Sequence, residues 1–345
     1  MKAIVYSRTG DPDVLRLTER PTPEPGPGEV RVHVRVSGVN PTDWKARRGA
    51  GPGRPAAFPE VVPNQDGAGT IDAVGPGVDQ GRVGQRVWLR EAAWQRADGT
   101  AQEHVVLPER QAVPLSDNAS FELGASLGIP ALTAHRCLTL ADGGPERLAP
   151  GALAGRTVLV AGGAGAVGNA AIQLACWAGA TVVTTVSSAE KADLARAAGA
   201  HHVVNYRIDD AAAAIRRVAP DGVDIVVEVA PSANAALDQE VLAANGAVAA
   251  YASDRENVTL PIRPFMARNI RYNFVLVYTV RLAAKLRAVE DVSAAVAAGA
   301  LQVGDAAGLP LHRFPLARTA EAHAAVEAGT IGKVIVDIAE TPPRS

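Results

Sequence analysis

The chain has 345 residues, enough for two domains, and its 34 Lys and Arg nearly balance 36 Asp and Glu, giving a net charge of −2. The charges are interspersed, which excludes the electrostatic footprint of a protein that binds nucleic acid or an anionic membrane surface. Two cysteines, Cys137 and Cys176, exclude a disulfide framework and a Cys-rich zinc site, and no run reaches the ~18 apolar residues of a membrane span.

Residues 1 to 127 are rich in Gly and Pro and carry short strand-like runs. The opening MKAIVYSRTGDP has no apolar core of signal-peptide length, so a cytoplasmic location is expected. In VRVHVRV, Val30, Val32, Val34 and Val36 alternate with Arg31, His33 and Arg35, the period of a half-buried strand. SGVNPTDWK (37–45) follows. Asn40-Pro41 reads as a turn, because Pro fixes φ and biases the residue before it away from helix. GTIDAVG and EHVVLP are further strand candidates, and the region is expected to form a mostly β domain.

From about residue 128 strands and helices alternate. TVLVAG (157–162) reads as a buried strand, followed by a helix with Val167, Ala171, Leu174, Ala175 and Ala178 on one face. Cys137 and Cys176 lie in such apolar helical stretches and are expected as buried thiols. ATVVTTV (180–186) is the next strand, and Ser187 with Glu190 spells a capping box for the next helix. HHVVNY, VDIVVEV, GAVAAY and IRYNFVLVY continue the series, and GKVIVDI closes it. This rhythm predicts a doubly wound parallel sheet. His201 and His202 begin a strand and are given no role.

Gly163-x-Gly165-x-x-Gly168, with Ala166 and Val167 inside it, lies directly between a strand and a helix. There the glycines permit a tight turn and close approach of a pyrophosphate to the helix N-terminus, so a dinucleotide-binding domain is expected. An NAD site places an acid at the end of the second strand to bind the ribose 2′-OH. Here that strand ends in Val186-Ser187-Ser188, with Lys191, one of five lysines, close behind. Two hydroxyls and an ammonium suit a 2′-phosphate, so NADPH is the expected cofactor.

SGVNPTDWKARRG, PNQDGAGTIDAVGPGV, GQRVW, GIPALTAHRCL, VAGGAGAVGNAAIQLA, SSAEKADLARAAGAHHVVNYR and GKVIVDI, in this order, resemble the medium-chain dehydrogenase/reductase superfamily, in its zinc-free branch of quinone and enone reductases, the zeta-crystallin-like group. The resemblance runs over about residues 1 to 338. It implies a GroES-like β domain from residues 1–127 and 278–345, with a Rossmann domain (128–277) inserted, and a homodimer formed through RYNFVLVY. In the zinc-dependent cousins a Cys stands at the position of Asn40 and a His at that of Gln65. Asp43 and Asp66 match carboxylates that stand behind the metal ligands. Region 127–130, LGIP, offers no third ligand and LREAAWQRADGT no Cys, so no zinc is expected.

By the same resemblance, Asn40 faces the nicotinamide ribose and the substrate, Gln65 lies on the opposite loop, Thr133 packs near the nicotinamide and Tyr206 borders the adenine or its 2′-phosphate. Lys45 is a candidate to meet the substrate oxygen or assist protonation, and Trp44 a candidate apolar wall. The loop AGPGRPAAFP lacks the tyrosine that many quinone reductases of the group carry. The expected activity is NADPH-dependent, zinc-independent reduction of a quinone or an α,β-unsaturated carbonyl. A non-catalytic NADPH-binding protein and a metal-free alcohol dehydrogenase are the alternatives.

Overall fold

The computed structural model describes residues 1–338. The chain divides into two units, Met1–Ile129 together with the segment from Leu311 onward, and Pro130–Pro310. In the first unit β1 (Lys2–Val5) pairs antiparallel with β2 (Arg16–Glu19). β3 (Glu29–Val39) buries Val30, Val32, Val34 and Val36 as the alternation predicts.

Asn40-Pro41 then opens a helix, α1 (Pro41–Arg48), rather than a plain turn. Proline is tolerated at the first helical position, where its missing N–H is one the helix would not use. Asn40 is the N-cap, and its N–H donates to the Asp43 side chain. β4 (Asp66–Val74), β5 (Arg86–Leu89), β6 (His104–Pro108) and β7 (Ala112–Pro114) continue the sheet, and α2 (Phe121–Gly124) follows.

The second unit begins with α3 (Pro130–Leu138). It alternates β8 (Thr157–Ala161), α4 (Ala166–Trp177), β9 (Thr181–Val186), α5 (Ala189–Ala197), β10 (His202–Asn205), α6 (Ala211–Val218), β11 (Val223–Glu228), α7 (Pro231–Val241), β12 (Leu242–Ala250), α8 (Ile262–Ala267) and β13 (Arg271–Phe274), and ends with α9 (Leu282–Ala297). The strands form a parallel sheet in the order β10-β9-β8-β11-β12-β13. That is the Rossmann order, with its switch point between β8 and β11.

The chain then returns to the first unit as β14 (Leu311–Pro315), α10 (Thr319–Glu327) and β15 (Lys333–Asp337). β15 lies antiparallel to β3, with Val334 opposite Val39, in a sheet ordered β14-β15-β3-β4-β5-β7; β6 pairs with the other half of β3.

Three details differ from expectation. Residues 278–310 stay with the parallel-sheet unit, because α9 is bound to α3 by His135 Nε2 and Asp291 Oδ2 at 2.8 Å, so the return to the first unit begins at Leu311 instead of 278. The expected segment 278–345 also extends past residue 338, outside the described residues. Strand pairing in IRYNFVLVY stops at Phe274, and Val277–Thr279 forms a short 3₁₀ turn. Cys137 is buried, but Cys176 is half-buried and turns its Sγ to Gly199 O. Among the described residues no helix is long and apolar enough to cross a membrane.

Candidate active site

The glycine loop joins β8 to α4. Gly162 makes the tight turn, at φ +71°, one residue before the first glycine of the motif. A Cβ on Gly163 would lie 2.2 Å from Thr184 Oγ1, and one on Gly168 would lie 2.4 Å from Gly162 O, so both glycines are required by packing. Gly165 is exposed, and a Cβ there would meet only Gly162 O, at 3.5 Å. It is the N-cap of α4 and supplies no side-chain cap. Ala166 and Val167, half-buried, open the helix. The first-turn N–H groups and the positive end of the helix dipole thus meet an open approach, the requirement for a pyrophosphate.

At the end of β9 the expected capping box shifts by one residue. Ser188 is the N-cap of α5 and accepts from Lys191 N–H at 3.2 Å. Ser187 is thereby released from capping, and its Oγ accepts from Lys191 Nζ at 3.0 Å, while Glu190 is exposed on the first turn. Tyr206 is set beside this pair by its N–H bond to Val186 O at 3.1 Å, and its ring is half exposed. The Arg207 guanidinium lies 5.7 Å from the centre of that ring, a second cation that motif reading passed over. Thr133 is buried on α3.

In the first unit, Asn40 is only 2% exposed and its amide is fully engaged. Nδ2 donates to Asp66 Oδ2 at 2.8 Å, and Oδ1 accepts from Lys333 Nζ at 2.7 Å. Asp66 Oδ2 also accepts from Ile129 N–H at 3.1 Å. Burial pushes the Asp43 carboxyl up to about 7 with help from the charge of Asp66, and raises Asp66 to about 6 against the opposing charge of Lys333. Burial also holds the Lys333 ammonium below the usual lysine range.

Gln65 stands just before β4. Its Oε1 accepts from Ala93 N–H at 3.1 Å and its carbonyl from Ala92 N–H at 3.0 Å, which fixes the side-chain oxygen. The preceding Asn64 is left-handed, at φ +78°, a conformation that a non-glycine residue keeps only when its surroundings hold it. Here Asn64 Nδ2 donates to Ser37 Oγ at 2.9 Å and Oδ1 pairs with His323 Nε2 at 2.9 Å. Burial and the nearby Arg47 push His323 down to about 3, so it is neutral at pH 7 and donates from Nε2.

Two family descriptions match the chain: "Alcohol dehydrogenase GroES-like domain" over residues 26–117 and "Zinc-binding dehydrogenase" over 166–295. A solved NAD-dependent alcohol dehydrogenase is 30% identical, covers 98% of this chain and 100% of its own, and superposes with a TM-score of 0.83. A mycobacterial protein solved in complex with NADPH is also 30% identical over 97% of this chain and 99% of its own, with a TM-score of 0.79. The quinone oxidoreductase of Rattus norvegicus is 29% identical over 340 residues, 97% of each chain. This chain belongs to the medium-chain dehydrogenase/reductase superfamily, in its quinone oxidoreductase branch. It also matches the synaptic vesicle membrane protein VAT-1 homolog of Rattus norvegicus, 32% identical over 255 residues, but spans only 59% of that protein's length.

Within this superfamily member the expected residues fall into separate groups. Gly163, Gly165 and Gly168 join Ser187, Ser188, Lys191 and Tyr206 along the C-terminal ends of β8, β9 and β10. Asn40 and Gln65 are both tied to Asp43, which accepts from the backbone N–H of each. Lys45 is not part of that cluster. It is exposed on α1, with Nζ 5.8 Å from the ring centre of half-buried Trp44, because Asp43 and Arg47 take the inward face of the helix. Among the described residues no three His, Cys, Asp or Glu side chains are arranged to hold a metal ion.

Proposed function

We propose that the chain is an NADPH-dependent reductase that delivers hydride to a quinone or to the conjugated double bond of an α,β-unsaturated carbonyl. The observation that carries the reading is the Ser187–Lys191 pair at the end of β9, where an NAD site would keep a carboxylate. The residues fit the dinucleotide: a glycine loop packed too closely for a Cβ at Gly163 or Gly168, an uncapped helix N-terminus, and a hydroxyl–ammonium pair for a 2′-phosphate. NADPH, when bound, supplies the hydride.

The chain's own residues hold and polarise. Gly163, Gly165, Ala166, Val167 and Gly168 receive the pyrophosphate; Ser187, Ser188 and Lys191 take the 2′-phosphate, and Tyr206 the adenine. Thr133 and the Asn40 backbone flank the nicotinamide. Gln65 Nε2 donates to the substrate oxygen as charge builds there, and Lys45 approaches the same oxygen from the exposed face of α1, with Trp44 as an apolar wall. Conjugated acceptors spread the new charge over an enolate or hydroquinone anion, so hydrogen-bond donors are sufficient without a Lewis acid. Asn40 and Gln65, both amides, are poor ligands for catalytic zinc.

The homodimer reading rests on β13, an edge strand of the parallel sheet, with exposed Phe274, and on exposed Ile262 and Met266 of α8. A cytoplasmic location completes the proposal.

A steady-state screen of quinones and enones with NADPH and NADH, together with alcohols and either oxidised nicotinamide, tests the reading. Acceptor-dependent oxidation of NADPH in clear preference to NADH is expected. Alcohol-driven reduction of NAD⁺ alone, as the likeness to an NAD-dependent alcohol dehydrogenase would favour, replaces it with the second reading. Cofactor binding without turnover on any substrate points to a non-catalytic NADPH-binding protein.

A further inference from the structure

Lys333 is the first residue of β15, followed by the apolar Val334, Ile335 and Val336, where an exposed lysine would be ordinary. Instead it is 2% exposed, and its ammonium is surrounded by oxygen: Asn40 Oδ1 at 2.7 Å, Val39 O at 3.2 Å and Asp66 Oδ2 at 3.8 Å. Two of its N–H donors meet acceptors, Asn40 Oδ1 and Val39 O, and the Asp66 carboxylate stands at ion-pair distance. Burying such a charge is costly even when it is paired, and an apolar side chain would serve the packing of β15 as well.

What the ammonium does, and a methyl group cannot, is distinguish the two ends of the Asn40 carboxamide. Those ends exchange by a rotation of about 180° about χ2, a soft torsion with two nearly equal wells. With Lys333 on one side and the Asp66 carboxylate on the other, only one well is satisfied. The other would set NH₂ against NH₃⁺ and a carbonyl oxygen against a carboxylate. Strand register supplies the alignment: with Val334 opposite Val39, Lys333 falls beside Asn40, and a slip by one residue would turn it to the other face of the sheet.

We propose that Lys333 is a positioning residue of this site, whose ammonium locks the Asn40 carboxamide in one orientation and anchors Asp66, and so holds the start of α1 and the Gln65 loop in register for the reduction. This rests on the reductase reading above.

Lys333→Met removes the charge at nearly constant length. kcat on the best acceptor is expected to fall by about tenfold or more, while the NADPH Kd, from fluorescence titration, stays within about threefold. Because Lys333 acts through Asn40, the Lys333→Met/Asn40→Leu double variant should be no slower than the slower single variant. Additive losses, or a folded Lys333→Met enzyme within about twofold of wild-type kcat, overturn the proposal. Should Lys333→Met fail to fold, Lys333→Arg keeps the charge but puts a longer, planar head in the same enclosed place. Wild-type kcat in that variant also overturns the proposal.

A readout independent of turnover separates this inference from the functional reading. In ¹H–¹⁵N spectra the Asn40 side-chain NH₂ pair, assigned by its loss in Asn40→Leu, should be resolved and slow to exchange in wild type and broadened in the Lys333 variants. A pair that is unchanged in both sinks the positioning role. A wild-type enzyme with no turnover on any acceptor sinks only the reductase reading.

Discussion

The candidate binding residues of the two units are built on opposite plans. The glycine loop and the end of β9 work mainly through backbone: an open helix N-terminus, glycines that packing forbids to change, and one exposed side of a serine–lysine pair. The Asn40 cluster works through buried side chains that occupy one another, with two carboxyls, one ammonium and two amides held away from water. A backbone site is ready for an anion without further payment in desolvation, whereas a buried cluster fixes position and must balance its own charge.

The sharpest way to break this contrast is at Gly168. Its Cβ would collide with the Gly162 carbonyl, a backbone atom that cannot move aside. Gly168→Val should weaken NADPH binding by ~100-fold or more, read by fluorescence titration, with the β-rich unit intact by circular dichroism. Retained binding would mean the loop is a structural turn.

Next comes Gln65, whose side-chain oxygen is taken by Ala93 N–H and whose amide is proposed to donate to the substrate. Gln65→Leu should lower kcat by ~100-fold with NADPH Kd nearly unchanged, the scale of removing one preorganised donor from a developing oxyanion. A loss confined to KM would make Gln65 a binding residue only. Lys191→Ala is expected to raise the NADPH KM by ~10-fold or more and leave NADH unaffected, since only the phosphate-bearing cofactor loses a charge-assisted bond. Equal effects on both cofactors would remove Lys191 from 2′-phosphate recognition.

How legible each group was follows from how it is built. Gly163, Gly165 and Gly168 sit within one short segment, so spacing alone announces them, as it does the alternation of Val30 to Val36. The cap of α5 was misplaced by one residue because Ser187 and Ser188 are chemically equivalent in sequence, and only the helix start decides between them. Lys333 was invisible as a site residue: its partner Asn40 lies 293 positions away, and nothing local marks a lysine at a strand edge as buried. Lys45, sequence neighbour of the cluster, is turned away by helical geometry, which places Asp43 and Arg47 inward. Residues that act through backbone or local period can be read from the chain; those that meet only through sheet register cannot.

The smallest expected effect tests what the lysine contributes. Asp66 and Asp238 are both buried acids, but Asp66 has Lys333 beside it and rises to about 6, whereas Asp238 of α7, buried and facing the like charge of Glu228, rises to about 8. Each folded pKa lies above its unfolded value, so the proton-bound fold is favoured at low pH and the contribution is lost as pH rises through the folded value. For Asp238 that loss runs from about pH 4 to about 8, against a shorter window ending near 6 for Asp66. The Tm of the wild type should therefore keep falling between about pH 6 and about pH 8, a window in which Asp66 has largely finished titrating and the share of Asp43 ends near 7. Asp238→Asn, neutral at every pH, should flatten that limb and raise Tm at its alkaline end by a few degrees. A limb of unchanged slope in Asp238→Asn would mean that Asp238 shares its charge with a partner as effectively as Asp66 does with Lys333, and the contrast between the two buried acids would fall.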